Sequence, residues 1–286
     1  MILKKFKKTF LDWIANFIIN LVNTTVVKNR IIDRHDKELS LKHDSSRNAK
    51  FELENFSPFN YPQYPNIIHE KIKPMSTFSP WRSDKEFIEM FEQLKNFTHI
   101  DIYRLYELFS LAKYACILKG DFLEVGVAQG GSGVMLSRTL NLMRSDKKIF
   151  LADTFAGVVN TSLKDPAYQD GMHSYGEDIV TSLLKKFACE NNSIILSGIF
   201  PKKNYEPFNN RDLCFVHIDV DVYISTKEVL DFVNNKLVKN GLIIIDDYGF
   251  AGCEGATQAV KDFIEANKKS YILIHNINGH AILVKL

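Results

Sequence analysis

The stretch FVHIDVDVYIST, residues 215–226, runs from an apolar strand into two acids, Asp219 and Asp221. A carboxylate buried without a partner is costly, so a strand that ends in acids predicts a wet, functional edge. The next apolar run behaves alike: GLIIIDDYGF, residues 241–250, closes on Asp246 and Asp247. Between the acidic ends lies YISTKEVLDFVNNKLVKNG, residues 223–241, of helical length and with Gly241 as its predicted stop. Strand, helix and strand form a βαβ unit. Its two strands run the same way and end on one rim of the sheet, where open α/β sheets bind ligands. Four carboxylates converge on that rim.

Working outward, strand and helix patterns alternate. DFLEVGV, KKIFLADTF and SIILSGIF read as strands, and GGSGVMLSRTLNLM and GEDIVTSLLKKFACEN as the helices between them. This predicts a doubly wound, mostly parallel sheet. After the helix GATQAVKDFIEANKK, two last strands flank Asn278-Gly279, a two-residue hairpin turn that makes the final strand antiparallel to its neighbour. The expected fold is a seven-stranded α/β sheet with a C-terminal antiparallel hairpin. Two helices precede it, one in SDKEFIEMFEQLKNF with Ser83 as N-cap and one in IDIYRLYELFSLAKYACILKG closed by Gly120.

At 286 residues and 45% hydrophobic content the chain holds one substantial core with an extension. A formal charge of +2 gives no case for a nucleic-acid partner. The basic excess sits in residues 1–50, with 11 Lys/Arg against 5 Asp/Glu. There Phe6, Phe10, Trp13, Phe17 and Leu21 recur at helical spacing beside Lys4, Lys5, Lys7 and Lys8. Asp12, Asn16 and Asn20 argue against a signal peptide or a spanning helix, so the stretch is read as an amphipathic helix. It would dock on its own domain or a second subunit of a homo-oligomer, or touch an anionic membrane surface. A polar linker follows, then a proline- and aromatic-rich arm up to residue 73. Residues 1–73 are thus read as an extension and residues 74–286 as the catalytic domain. Cys116, Cys189, Cys214 and Cys253 follow no disulfide or zinc spacing, which predicts reduced thiols and a cytoplasmic setting.

In GDFLEVGVAQGGSG, Glu124 precedes Gly126, and a turn with Gly130, Gly131 and Gly133 leads into a helix. The dinucleotide spacing G-x-G-x-x-G is absent, and an acid two residues before the first glycine suits a cationic or amine-bearing ligand better than a pyrophosphate. Asp153 ends the second strand, where an acid can accept both hydroxyls of a ribose or cap the next helix. The rim acids call for a hard divalent cation with oxygen ligands, or else cap the following helices. His217, two residues before Asp219, is read as a core histidine behind the site. The segment between Gly157 and Asp178 is long for a βα loop and reads as a lid over an acceptor.

FSPWRSDKEF, DIYRLYELF, GDFLEVGVAQGGSG, ADTFAGV, HIDVDVYIST and GLIIIDDYGFAGCEGATQAVKDF, in that order, resemble the macrocin-O-methyltransferase family over residues 74–270. That resemblance implies a class I, S-adenosylmethionine- and magnesium-dependent O-methyltransferase acting on sugars of natural products. It implies that Glu124, Gly126, Ser132 and Asp153 hold the cofactor, with Ser197 near the adenine. It also implies Asp219, Asp246 and Asp247 as metal ligands, with Asp219 as catalytic base. Val220 and Gln129 depart from the family pattern, where Gly and Arg are usual. The alternatives are a nucleotide-sugar or NAD-type enzyme and a non-catalytic, membrane-associated scaffold.

Overall fold

The computed structural model describes residues 57–70 and 76–286. The amphipathic stretch, the polar linker and residues 71–75 lie outside the described residues. Among those described, no helix is long and apolar enough to cross a membrane.

A helical lead-in, α1 (Pro80–Ser83), α2 (Lys85–Leu94) and α3 (Ile102–Ala115), precedes β1 (Asp121–Val125). Then follow α4 (Gly131–Leu142), β2 (Ile149–Asp153), α5 (Glu177–Lys186), β3 (Ser193–Ser197), β4 (Leu213–Ile218) and α6 (Tyr223–Asn234). The chain ends with β5 (Leu237–Ile245), α7 (Glu254–Asn267), β6 (Tyr271–His275) and β7 (Ala281–Lys285). The seven strands line up as β3-β2-β1-β4-β5-β7-β6. β1 to β5 are parallel, and β7 lies antiparallel to both β5 and β6. The predicted fold class holds.

Alternation along each strand builds two cores. Phe122, Phe215, Ile244 and Ile282 face α2, α3 and α4, whereas Leu123, Val216, Ile245 and Leu283 face α6 and α7. Phe122 and Phe215 stack across neighbouring strands with centroids 4.8 Å apart. Each fully buried phenylalanine of this kind contributes roughly 1.5–3 kcal/mol. By the same period of two, Glu124 and His217 share the face of Phe122 and Phe215, and the register sets them opposite one another. A buried polar pair is thus specified by an apolar pattern.

Local boundaries differ from expectation at four points. Asp84, not Ser83, caps α2 by accepting from the Phe87 N–H at 3.1 Å, because Pro80 starts a separate turn that holds Ser83. α3 ends at Ala115, short of Gly120, which sits in the turn into β1. Gly241 lies inside β5: pairing starts at Leu237 opposite Leu213, and a register shift precedes Leu242. The β6–β7 connection has five residues, 276–280, since His275 pairs with Ala281. His280 is drawn out of the ladder by side-chain bonds, described next.

Candidate active site

The glycine turn between β1 and α4 brings backbone against backbone. Gly126 has φ +88°, and a Cβ there would meet the Asp219 carbonyl oxygen at 1.7 Å, so the ends of β1 and β4 touch only because this residue is glycine. Glu124 is fully buried and hydrogen-bonds His217 Nδ1 through Oε1 at 2.9 Å. Its Oε2 has no partner. A Cβ on Gly133, in the first turn of α4, would lie 2.5 Å from that oxygen. No side chain caps the N-terminus of α4, where Ser132 is buried. An orphaned carboxylate oxygen, a glycine-rich turn and helix N–H groups that no side chain caps match a ligand carrying both an amine and a carboxylate.

Asp153, at the end of β2, accepts from the Val127 and Ala128 N–H groups through Oδ2 at 2.6 and 2.9 Å, and from the Phe155 N–H through Oδ1 at 2.7 Å. It therefore fastens the glycine turn. Ser197, exposed at the end of β3, pairs with Asp153 in the sheet.

The acid rim lies beside this turn. Asp219, Asp246 and Asp247 each offer an oxygen within 4.8 Å of the others. Asp246 is buried between two cations: the Arg104 guanidinium pairs with its Oδ2, and His280 Nε2 bonds its Oδ1 at 2.8 Å. Glu107 holds the other ring nitrogen of His280 at 2.5 Å, and Asn276 Nδ2 donates to both oxygens of Glu107. His217 Nε2 lies 3.9 Å from Asp246, too far for a hydrogen bond. Asp247 Oδ2 accepts from the Asp221 N–H at 2.8 Å, across a left-handed backbone at Asp221 with φ +63°.

These contacts set the charges. Burial opposes protonation of His217, but the carboxylates of Asp246 and Glu124 outweigh it and push its pKa up to about 10. Burial opposes His280 in the same way, and Asp246 and Glu107 raise it. Burial would raise Asp246, yet Arg104 and the two histidines hold it well below the usual carboxylate range. Asp219 goes the opposite way: burial first, then the charges of Asp246, Asp247 and Asp221, push it well above that range. Asp246 is thus compensated by direct ion pairs, whereas for Asp219 the charge of His217 does not outweigh burial and three neighbouring acids.

The loop between β2 and α5 covers this edge. Buried Asp165 accepts from the Tyr223 N–H at 2.8 Å and so caps α6, while Ser225 Oγ donates to the Val159 carbonyl at 2.9 Å. Tyr168 Oη lies 3.1 Å from Cys253 Sγ, and burial together with Asp221 holds its phenol protonated. The arm secures the loop: Tyr64 Oη donates to the Lys164 carbonyl at 2.8 Å, and His69 Nε2 bonds buried Glu254 at 2.8 Å.

The structure thus brings together Glu124, Gly126 and Ser132 with Asp153 behind them, and Asp219 with Asp246 and Asp247. Sequence reasoning missed Arg104, Glu107 and His280. The available signal was topological: an antiparallel β7 starts on the rim where β4 and β5 end, so the residue before it faces Asp246. His217 stands behind the site, as expected.

A seven-stranded sheet ending in an antiparallel pair, with a glycine turn after β1 and acids after β4 and β5, is the architecture of class I O-methyltransferases. Residues 97–284 match the macrocin-O-methyltransferase family, and the chain belongs to it. It is similar to the 8-demethyl-8-(2,3-dimethoxy-alpha-L-rhamnosyl)-tetracenomycin-C 4'-O-methyltransferase of Streptomyces olivaceus, with 24% identity over 147 residues. That match takes in 48% of this chain and 56% of the relative, so the chain spans little more than half of that protein's length. The O-methyltransferase NovP superposes with a TM-score of 0.59 at 22% identity, over 66% of this chain and 82% of that one. The calicheamicin methyltransferase CalS11 does so with 0.54 at 16% identity, over 74% and 99%. Both show the shared fold.

Proposed function

We propose that the protein transfers a methyl group from S-adenosylmethionine to a hydroxyl of a sugar or glycosylated small molecule, with a divalent cation, magnesium, on the acid rim. The observation that carries this is the juxtaposition, set by Gly126, of a glycine turn beside one orphaned buried carboxylate oxygen and a rim whose Asp219 makes no ion pair among the described residues. The activity named for the Streptomyces olivaceus relative, methylation of a rhamnosyl group, supports a sugar acceptor.

The donor set fits a hard cation: three carboxylates with oxygens close together, of which Asp219 makes no ion pair among the described residues and is held above the usual carboxylate range by burial and its acidic neighbours. Asp219 and Asp247 would hold it, with Asp246 presenting what its bonds to Arg104 and His280 leave. A bound cation would supply positive charge that lowers the pKa of an acceptor hydroxyl, and the sulfonium cofactor supplies a methyl already activated for displacement. The chain aligns and accepts a proton. Glu124 Oε2 and the α4 N-terminus would orient the amino acid end of the cofactor, Asp153 would hold the turn that carries its nucleoside, and Ser197 would stand by the adenine. Asp219 would take the proton of the acceptor hydroxyl, and the residues around the glycine turn would keep donor and acceptor aligned.

Calorimetry with S-adenosylhomocysteine and with NAD, followed by methyl transfer to a panel of sugars with and without EDTA, tests the proposal. Binding of the first ligand only is expected, with turnover lost in EDTA and cofactor binding kept. Binding of NAD alone would overturn the transferase reading, and full turnover in EDTA the cation's role.

A further inference from the structure

A cavity of about 360 Å³ opens beside Glu107. Its size falls within the range of small-molecule sites. Trp81 of α1 and Tyr103 and Tyr106 of α3 form its walls, with Trp81 edge-on to both tyrosines at centroid distances of 4.9 and 6.2 Å. Glu107 and Asn278 supply its polar side. Asn278 lies in the five-residue loop between β6 and β7, the loop that also carries His280 to Asp246.

The geometry points to a binding subsite for a pyranose ring of the acceptor, one unit removed from the hydroxyl that is methylated. Flat aromatic walls suit the apolar C–H face of a pyranose, and a carboxylate beside a carboxamide suits its hydroxyls, which both donate and accept. Among the described residues, the Tyr103 and Tyr106 hydroxyls and the Asn278 side-chain amide make no hydrogen bond, while the Asn278 backbone N–H donates to Asn276 Oδ1 at 2.9 Å. Asn276 and His280 hold Glu107 in place, so its carboxylate is fixed before a ligand arrives. The link to the rim is short. Glu107 bonds one nitrogen of His280 and Asp246 bonds the other, so one imidazole separates the cavity from the acids. The proposed ring and the reacting unit would thus lie on opposite sides of the buried His280 imidazole, with the remainder of the acceptor passing around it. Trp81 and Glu107 act here as specificity-determining residues, remote from the methyl group.

This inference rests on the transferase reading, and its test separates the two. Saturation-transfer NMR on the full chain with S-adenosylhomocysteine would follow methyl α-L-rhamnopyranoside and methyl β-D-glucopyranoside as probes. Transfer to ring protons is expected in the wild type. Tyr103→Ala, at a half-exposed position, and Trp81→Ala should each weaken it about fivefold or more, while Trp81→Phe keeps it and S-adenosylhomocysteine affinity stays unchanged in all. Circular dichroism identifies any variant that fails to fold, and Tyr103→Ala then decides. Cofactor binding with no pyranoside signal, or with a signal that Tyr103→Ala leaves intact, overturns the subsite and leaves the transferase standing. Loss of cofactor binding in the wild type overturns the transferase instead.

Discussion

The two halves of the rim solve the problem of buried charge differently. On the β1–β2 side, Asp153 is satisfied by three backbone N–H groups of its own neighbourhood. On the β4–β5–β7 side, Asp246 is satisfied by Arg104 and His280, brought from a helix before the sheet and from its last loop. Local backbone donors cost little to arrange and bend with the chain. Distant charged side chains must be desolvated and held, so their removal leaves a partner stranded in the interior. The cofactor half should therefore tolerate substitution better than the acid half.

The largest effect is expected at Arg104. Arg104→Met leaves Asp246 buried with His280 as its one remaining bonded cation and should destabilise the fold by about 3–5 kcal/mol, read from urea unfolding. Adding Asp246→Asn should recover much of that loss, because the stranded charge goes with it. A single variant as stable as wild type would mean that water already screens the pair, and the contrast between the halves would fail.

The same contrast explains what could be read from the sequence. Strand order, the parallel sheet, the glycine turn and the three rim aspartates were legible because each is written in contiguous residues: an apolar run, then a glycine or an acid. The compensation of those acids was not, because Arg104 stands 142 residues from Asp246 and Glu107 stands 173 residues from His280, and none of the three belongs to a recognisable motif. The Asn278-Gly279 dipeptide illustrates the limit. Taken alone it signals a two-residue turn, but His280 gains more from Glu107 and Asp246 than from a ladder position, and the loop widens to five residues. Ser83 failed for a nearer reason, since Asp84 competes for the same cap and Pro80 claims the preceding turn.

A second, smaller effect should have the opposite sign. Asp219 is the rim carboxylate with no ion pair among the described residues, and burial with the crowding of Asp246, Asp247 and Asp221 outweighs the charge of His217. In protein freed of divalent ions, Asp219→Asn should raise the melting midpoint by a few degrees, about 1 kcal/mol, while methyl transfer is lost. Stability bought at the expense of activity is the mark of a group held for function. A lower midpoint would show that Asp219 has a partner in the folded protein and is no free ligand.

The smallest change in stability is expected on the cofactor half. Asp153→Ala removes the acceptor of three N–H groups at the surface edge of the turn, where water replaces it in part, and should cost about 1–2 kcal/mol. It should also weaken S-adenosylhomocysteine about tenfold, but that result alone does not separate contact with a ribose from support of the glycine turn. Asp153→Asn does. Asparagine keeps one acceptor oxygen and the shape of the side chain but loses the charge. If Asp153 acts through the turn, stability and affinity should fall together in both variants, and the N–H resonances of Val127 and Ala128 should shift in step. If it holds the ribose directly, Asp153→Asn should lower affinity with stability and those two resonances unmoved. The first pattern is expected here, because both oxygens of Asp153 are already bonded to backbone N–H groups of the glycine turn and its own neighbour Phe155.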